Sequence, residues 1–147
     1  MFSTSCHYGL QAILYIAFHH SDDKNIELKQ IAEDQGIPKH FLSKILQQLV
    51  RYDLLASMKG PTGGFKLNKP AGEIALIEIV DAIDGLGIFT QCGIGFKQCD
   101  DSQPCPIHHD FKGVRNQVRE LFESKTLKDL VEDVNLGNSI VGLKKSD

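Results

Sequence analysis

The chain has 147 residues, 41% of them apolar and 24% charged, with a formal net charge of −3, which fits one soluble globular domain with a well-filled core. It has no apolar run of about 18 residues, which excludes a membrane-spanning helix, and its N-terminus lacks a signal-peptide layout, so a cytoplasmic protein is expected. In a reducing compartment its four cysteines point to metal or redox chemistry rather than to a disulfide framework.

The charge is unevenly placed. Between Pro38 and Lys66 stand Lys39, Lys44, Arg51, Lys59 and Lys66 against the single anion Asp53, a net +4, while the rest of the chain carries −7. A compact basic segment in an acidic protein is a candidate phosphate-binding footprint, although a solvated basic face has the same composition.

Residues 4–20 predict a first helix, because Leu10, Ile13, Leu14 and Ala17 repeat at i, i+3, i+4 and i+7. Ser3 or Thr4 is suited to cap it. Residues 21–25 make a polar loop, and Leu28 to Gln35 a short second helix with Leu28, Ile31 and Ala32 inward. Gly36 can end that helix in a left-handed turn. Pro38 suits the first position of a third helix running to about Tyr52. Phe41, Leu42, Ile45, Leu46 and Leu49 form its apolar face, opposite Lys39, His40, Ser43, Lys44 and Gln47. Helix, glycine turn and basic longer helix make a helix-turn-helix pattern, whose second helix enters the major groove.

Residues 54–59 and 65–67 read as strands joined by Gly60-Pro61-Thr62-Gly63-Gly64. A hairpin flanked by Lys59 and Lys66 directly after a helix-turn-helix is a wing, and glycines at its tip let backbone N–H groups approach phosphate oxygens. The candidate DNA-binding residues are therefore Lys39, His40, Ser43, Lys44, Gln47, Lys59, Thr62, Gly63, Gly64 and Lys66. Residues 69–72 form a hinge-like connection. Residues 75–83 predict a fourth helix with Leu76, Ile79, Val80 and Ile83 on one side, stopped at Gly85.

The stretch from Gln91 to His109 holds Cys92, Cys99 and Cys105 in the spacing C-x6-C-x5-C, with His108 three residues on. Two glycines and two prolines make it a loop, which can wrap ligands around a compact object. Soft thiolates suit zinc, copper(I) or iron–sulfur clusters, and an imidazole can complete the set. Zinc knuckles usually keep ligand pairs two to four residues apart. Here only Cys105 and His108 do so, and the wider cysteine spacing favours an iron–sulfur cluster, [2Fe–2S] or [4Fe–4S], with zinc as the alternative. A histidine among the ligands raises the potential of a cluster and can be protonated. His109 is expected to face water.

Asp110 is the expected N-cap of a last long helix, residues 111–123, with Phe111, Val114, Val118, Leu121 and Phe122 as its stripe. Such a helix at the end of a small DNA-binding domain suits a dimer interface, and dimers read paired half-sites. Residues 126–130 start a further short helix, and the tail from about Asn135 is expected to be weakly structured. The fold expected is mainly α with a β-hairpin wing, a winged helix-turn-helix plus a long C-terminal dimerisation helix. Four segments follow: residues 1–85 (DNA-binding), 86–109 (cysteine loop), 110–134 (dimerisation) and 135–147 (tail).

In order along the chain, STSCHYGLQAILYIA, IAEDQGIPKHFLSKILQQL, SMKGPTGGFKL, IVDAIDG, the three-cysteine loop and TLKDL resemble the IscR/NsrR-type (Rrf family) winged-helix regulators of bacteria over residues 3–132. The resemblance implies homodimers on promoter DNA, controlled by the state of an iron–sulfur cluster. It makes Cys92, Cys99 and Cys105 the thiolate ligands and places His108 where IscR-like members have their fourth ligand. The first cysteine gap is six residues, where IscR-like loops have five. His7 stands where other members place a cluster-ligating carboxylate, which makes it the alternative fourth ligand, with Cys6 beside it a further possible donor. Three rival classes stand beside this reading: a zinc-bound or clusterless winged-helix repressor sensing thiol oxidation, a small iron–sulfur electron carrier, and a thiol enzyme using Cys105 and His108. No orienting acid or oxyanion motif supports the enzyme.

Overall fold

The computed structural model describes residues 1–137. Its elements are α1 (Thr4–Phe18), α2 (Leu28–Gln35), α3 (Lys39–Arg51), β1 (Leu55–Met58), β2 (Gly64–Leu67), α4 (Leu76–Ile83), α5 (His108–Ser124) and α6 (Leu127–Asn135). Single 3-10 turns lie at Ala71–Glu73 and Leu86–Phe89. Residues 138–147, most of the expected tail, lie outside the described residues.

α1 is the central element. Ser3 caps it by accepting from the Cys6 N–H at 3.0 Å, and it packs against α2, α3, α4, α6 and β2. With so many neighbours it buries more than the one stripe expected: Cys6, Gly9, Ala12, Ile13, Tyr15, Ile16 and Ala17 are all buried. Gly9 has to lack a side chain, because a Cβ there would overlap Ile83 of α4 and press on Ile45 of α3. The Tyr15 hydroxyl donates to Asp34 of α2 and accepts from Gln30 at 3.0 Å, tying α2 to α1.

Gly36 ends α2 at φ 65°, as its sequence position predicts. Pro38 is the N-cap of α3 and not its first helical residue. Leu42, Ile45, Leu46 and Leu49 are buried, but Phe41 is 50% exposed, which corrects its assignment to the apolar face. At 100° per residue Phe41 falls on the edge of that stripe. The wing pairs Leu55 with Leu67 and Met58 with Gly64 in antiparallel register. Ile26, ahead of α2, adds a bridge to Phe65 through two 2.8 Å backbone hydrogen bonds.

α5 begins at His108, with Ile107 at the cap. This corrects both the loop's expected end at residue 109 and the placing of Asp110 as cap. Asp110 instead stands in the first turn, where a carboxylate also complements the helix dipole. Thr126 and Asp129 close a capping box on α6. Leu76 N–H donates to Lys125 O at 2.9 Å and Leu127 N–H to Ile74 O at 3.0 Å. The chain thereby returns to the core, where Leu127 is fully buried.

Candidate metal centre and nucleic-acid interface

The cysteine loop is anchored at its start by Phe89, which packs with Cys6 and Val80. At Gly93 a Cβ would sit 2.6 Å from the Phe111 ring, so the ring of α5 lies directly on the loop backbone beside Cys92. Further on, Asp100 accepts from Ser102 N–H at 2.9 Å and from its hydroxyl at 2.7 Å. These two bonds hold the Asp100 carboxyl below the usual range. The loop closes onto α5 where His108 N–H donates to Cys105 O at 3.0 Å.

These constraints bring together residues far apart in the loop. The sulfurs of Cys92 and Cys105 are 3.6 Å apart, both as free thiols. The Cys99 sulfur lies 3.4 Å from His108 Nδ1. His108 is 4% exposed, and its Nε2 is 2.6 Å from Asp101 Oδ1. Lys112 donates to both oxygens of the same carboxylate, at 3.0 and 2.9 Å. The bonds from His108 and Lys112 push Asp101 down to about 2. An imidazole with one nitrogen toward a thiol and the other held by a carboxylate is the arrangement in which histidine serves metals. The Cys92 thiol is pulled below its ordinary value, first by the Ile94 backbone N–H and further by those of Phe96 and Gly95 and by Cys105. That favours the thiolate, the form that binds metal.

The four donors stand as two pairs. Among the described residues no three His, Cys, Asp or Glu side chains converge on one metal-ion position. The chemistry fits a soft metal group even so: three thiols, one imidazole already oriented by a carboxylate, and a lowered thiol, all within one loop and the helix that closes it.

Other residues raised by the sequence lie elsewhere. Cys6 is fully buried, and burial, followed by the nearby Asp84 carboxylate, pushes its thiol up to about 12. It packs as a core residue. His7 is exposed on α1 with its ring edge-on to Phe2. His109 is exposed, as expected.

Sequence reasoning missed Arg115, 5% exposed, whose Nη1 donates to Gln91 O at 2.6 Å and to the Cys99 sulfur at 3.3 Å. The available signal was an interruption: Phe111, Arg115, Val118 and Phe122 share one face of α5 at helical spacing, and a cation stands where the apolar stripe should continue.

Lys39, His40, Lys44 and Gln47 are exposed along α3, with Ser43 half-buried among them. Lys59 and Thr62 are exposed at the wing tip, whereas Gly63, Gly64 and Lys66 are half-buried. Lys66 shares a depression of the loop side with Asp22 and Asn68. Gly64 adopts φ 144° with the Ile26 backbone against its Cα, so it is fixed by the hairpin's own packing. Phe41 joins the α3 surface, its ring 4.1 Å from that of His40.

The sequence model of the Rrf2 family, described as iron-dependent transcriptional regulators, matches residues 2–133. The chain belongs to the Rrf2 family. The regulator IscR of Pectobacterium atrosepticum is 30% identical over 131 residues, covering 89% of this chain and 79% of that protein. The oxidised form of CymR from Staphylococcus aureus superposes with a TM-score of 0.72 at 27% identity, over 90% of this chain and 96% of that one. CymR of B. subtilis, the global cysteine regulator, reaches 0.75 at 23% identity, over 90% and 96% of the two chains. As an Rrf2 protein the chain is a winged-helix, DNA-binding transcriptional regulator, and its relatives are regulators rather than enzymes. No helix among the described residues is long and apolar enough to cross a membrane.

Proposed function

We propose that this Rrf2 regulator acts in the cytoplasm as a homodimer whose promoter binding is controlled by an iron–sulfur cluster on Cys92, Cys99, Cys105 and His108. The observation that carries the proposal is the Cys99–His108–Asp101 chain. It draws the loop's middle cysteine to an oriented, buried imidazole on the first turn of α5. When bound, the cluster supplies a group that changes charge on reduction and is lost or modified by oxidants or nitric oxide. Around it, this chain's residues do the positioning: Asp101 and Lys112 hold His108, the turn at Ile94 to Phe96 favours the Cys92 thiolate, and Phe111 fixes the loop backbone on α5.

In this reading residues 1–85 bind DNA, 86–109 form the sensing loop and 110–134 the dimer-forming region. Val114 and Leu121 of α5 are each half-exposed, at 54% and 50%, and a second copy of α5 would cover them. Lys39, His40, Ser43, Lys44 and Gln47 would face the groove, while Lys59, Thr62, Gly63, Gly64 and Lys66 serve the wing. A coupling of about 1–3 kcal/mol between loop and dimer geometry corresponds to a change in DNA affinity of about 5- to 150-fold.

The experiment is purification without oxygen, followed by iron, sulfide and zinc analysis and by promoter binding before and after cluster removal. Iron with acid-labile sulfide, and an affinity that follows it, is the expected result. Tightly bound zinc without iron would refute the cluster. The second reading, a thiol switch, has its own observation: the Cys92 and Cys105 sulfurs need to close only from 3.6 Å to about 2.05 Å to form a disulfide. Metal-free protein whose DNA binding follows reversible oxidation of that pair would establish it.

A further inference from the structure

Arg115 is a buried cation with no carboxylate partner among the described residues. Its guanidinium reaches the Gln91 carbonyl, the Cys99 sulfur and the face of Phe111, 6.0 Å from the ring centroid. Its Nε is buried with no hydrogen-bond partner. A guanidinium cannot shed its proton, and taking an ionised group out of water is costly unless an opposite charge compensates it. Facing it is a sulfur that the loop also presents to His108. The same side chain spans two points of the loop, one just before Cys92 and one at Cys99, so it sets the distance between two candidate ligands.

We propose that Arg115 is a positioning residue of the metal centre: it fixes Cys99 relative to the start of the loop and supplies the buried positive charge that raises the reduction potential of the bound cluster. The inference rests on the cluster reading above and adds to it the determinant of the potential. Reduction adds an electron to an already anionic thiolate-ligated group. A nearby cation and an N–H···S hydrogen bond stabilise the reduced form more than the oxidised one. The feature has a local origin, since Arg115 lies seven residues after His108 and therefore on the same face of α5, where both side chains meet the one sulfur.

The test compares wild type, Arg115→Lys, Arg115→Met and, as a control, Arg119→Met, whose guanidinium pairs with Glu123 and lies over the Phe89 ring but makes no bond to a loop cysteine among the described residues. Each is reconstituted with iron and sulfide without oxygen, checked by circular dichroism, and titrated reductively with a visible-absorption readout. Arg115→Met should titrate at a more negative potential than wild type. Arg115→Lys, which keeps the charge on a shorter side chain that withdraws the donor Nη1 offers to both Gln91 O and the Cys99 sulfur, should shift the same way by less. Arg119→Met should not shift. If Arg115→Met loses its cluster, the Lys variant carries the test. Equal potentials in wild type and both Arg115 variants, or a shift to more positive potential, would overturn the inference while leaving the cluster intact. A wild-type protein that takes up no iron and sulfide overturns the cluster reading itself, and this inference with it.

Discussion

Lys59 offers a quantitative test of the wing. It stands one residue beyond β1, exposed beside Gly60, and no ion pair engages it among the described residues. Its ammonium is thus available to one phosphate, which makes two in the proposed homodimer. Each neutralised phosphate contributes about 0.9 to the slope of log affinity against log salt, so Lys59→Ala in both subunits should flatten the slope by about 1.8. Between 50 and 200 mM salt that amounts to roughly a 12-fold smaller loss of affinity for the variant than for wild type. Fluorescence anisotropy with a labelled promoter duplex at four salt concentrations reads both quantities. The weakening should be equal on a scrambled duplex, because phosphates carry no sequence. An unchanged slope, or a loss confined to the specific sequence, would refute the placing of Lys59 on the backbone.

Cys99→Ala should abolish bound iron, whereas Cys6→Ala, altering a core thiol, should leave iron and sulfide unchanged and lower only the melting temperature; metal analysis separates them. If α5 forms the proposed dimer, Leu121→Glu should give a monomer with reduced promoter affinity, read by sedimentation velocity and anisotropy. Thr126→Ala removes an N-cap worth about 1 kcal/mol and should lower the midpoint of chemical unfolding. The capping bonds from Thr126 also hold the Asp129 carboxyl below its usual value. A depressed carboxylate stabilises the fold above its unfolded pKa, near 3.9, and that contribution disappears as pH falls through the lower folded value. Wild type and Asp129→Asn, which lacks that charge, should therefore converge in stability as the solution is acidified below about pH 4, and a constant gap would count against the capping argument.

Where the sequence was read well, one residue type had one physical use. Gly36, Gly60 and Gly64 are placed where L-residues resist the backbone angles, and Leu42, Ile45, Leu46 and Leu49 repeat at the helical period. Reading failed where tertiary neighbours decide. α1 is wrapped on several sides, so its polar–apolar alternation is weak and the single stripe of Leu10, Ile13, Leu14 and Ala17 understated what it buries. Phe41 has the hydrophobicity of an inward residue, but its angle on the helix leaves it exposed. Asp110 stabilises a helix start from the first turn as well as from the cap, so its presence could not fix the boundary. The ligand candidates were legible from their spacing; their pairing, and the role of Arg115, depend on α5 passing beneath the loop, which no local pattern encodes.

The return of the chain after α5 has a mechanical consequence. The backbone bonds joining Leu76 to Lys125 and Leu127 to Ile74 rivet the Ser124 end of α5 to the body that carries α1 and α4, while its His108 end meets the cysteines. Seventeen residues make a rod of about 25 Å. Pinned at one end, such a rod turns by about 2° for every ångström of displacement at the other. α5 is in this sense a lever with its fulcrum beside the winged-helix body and its handle in the cysteine loop.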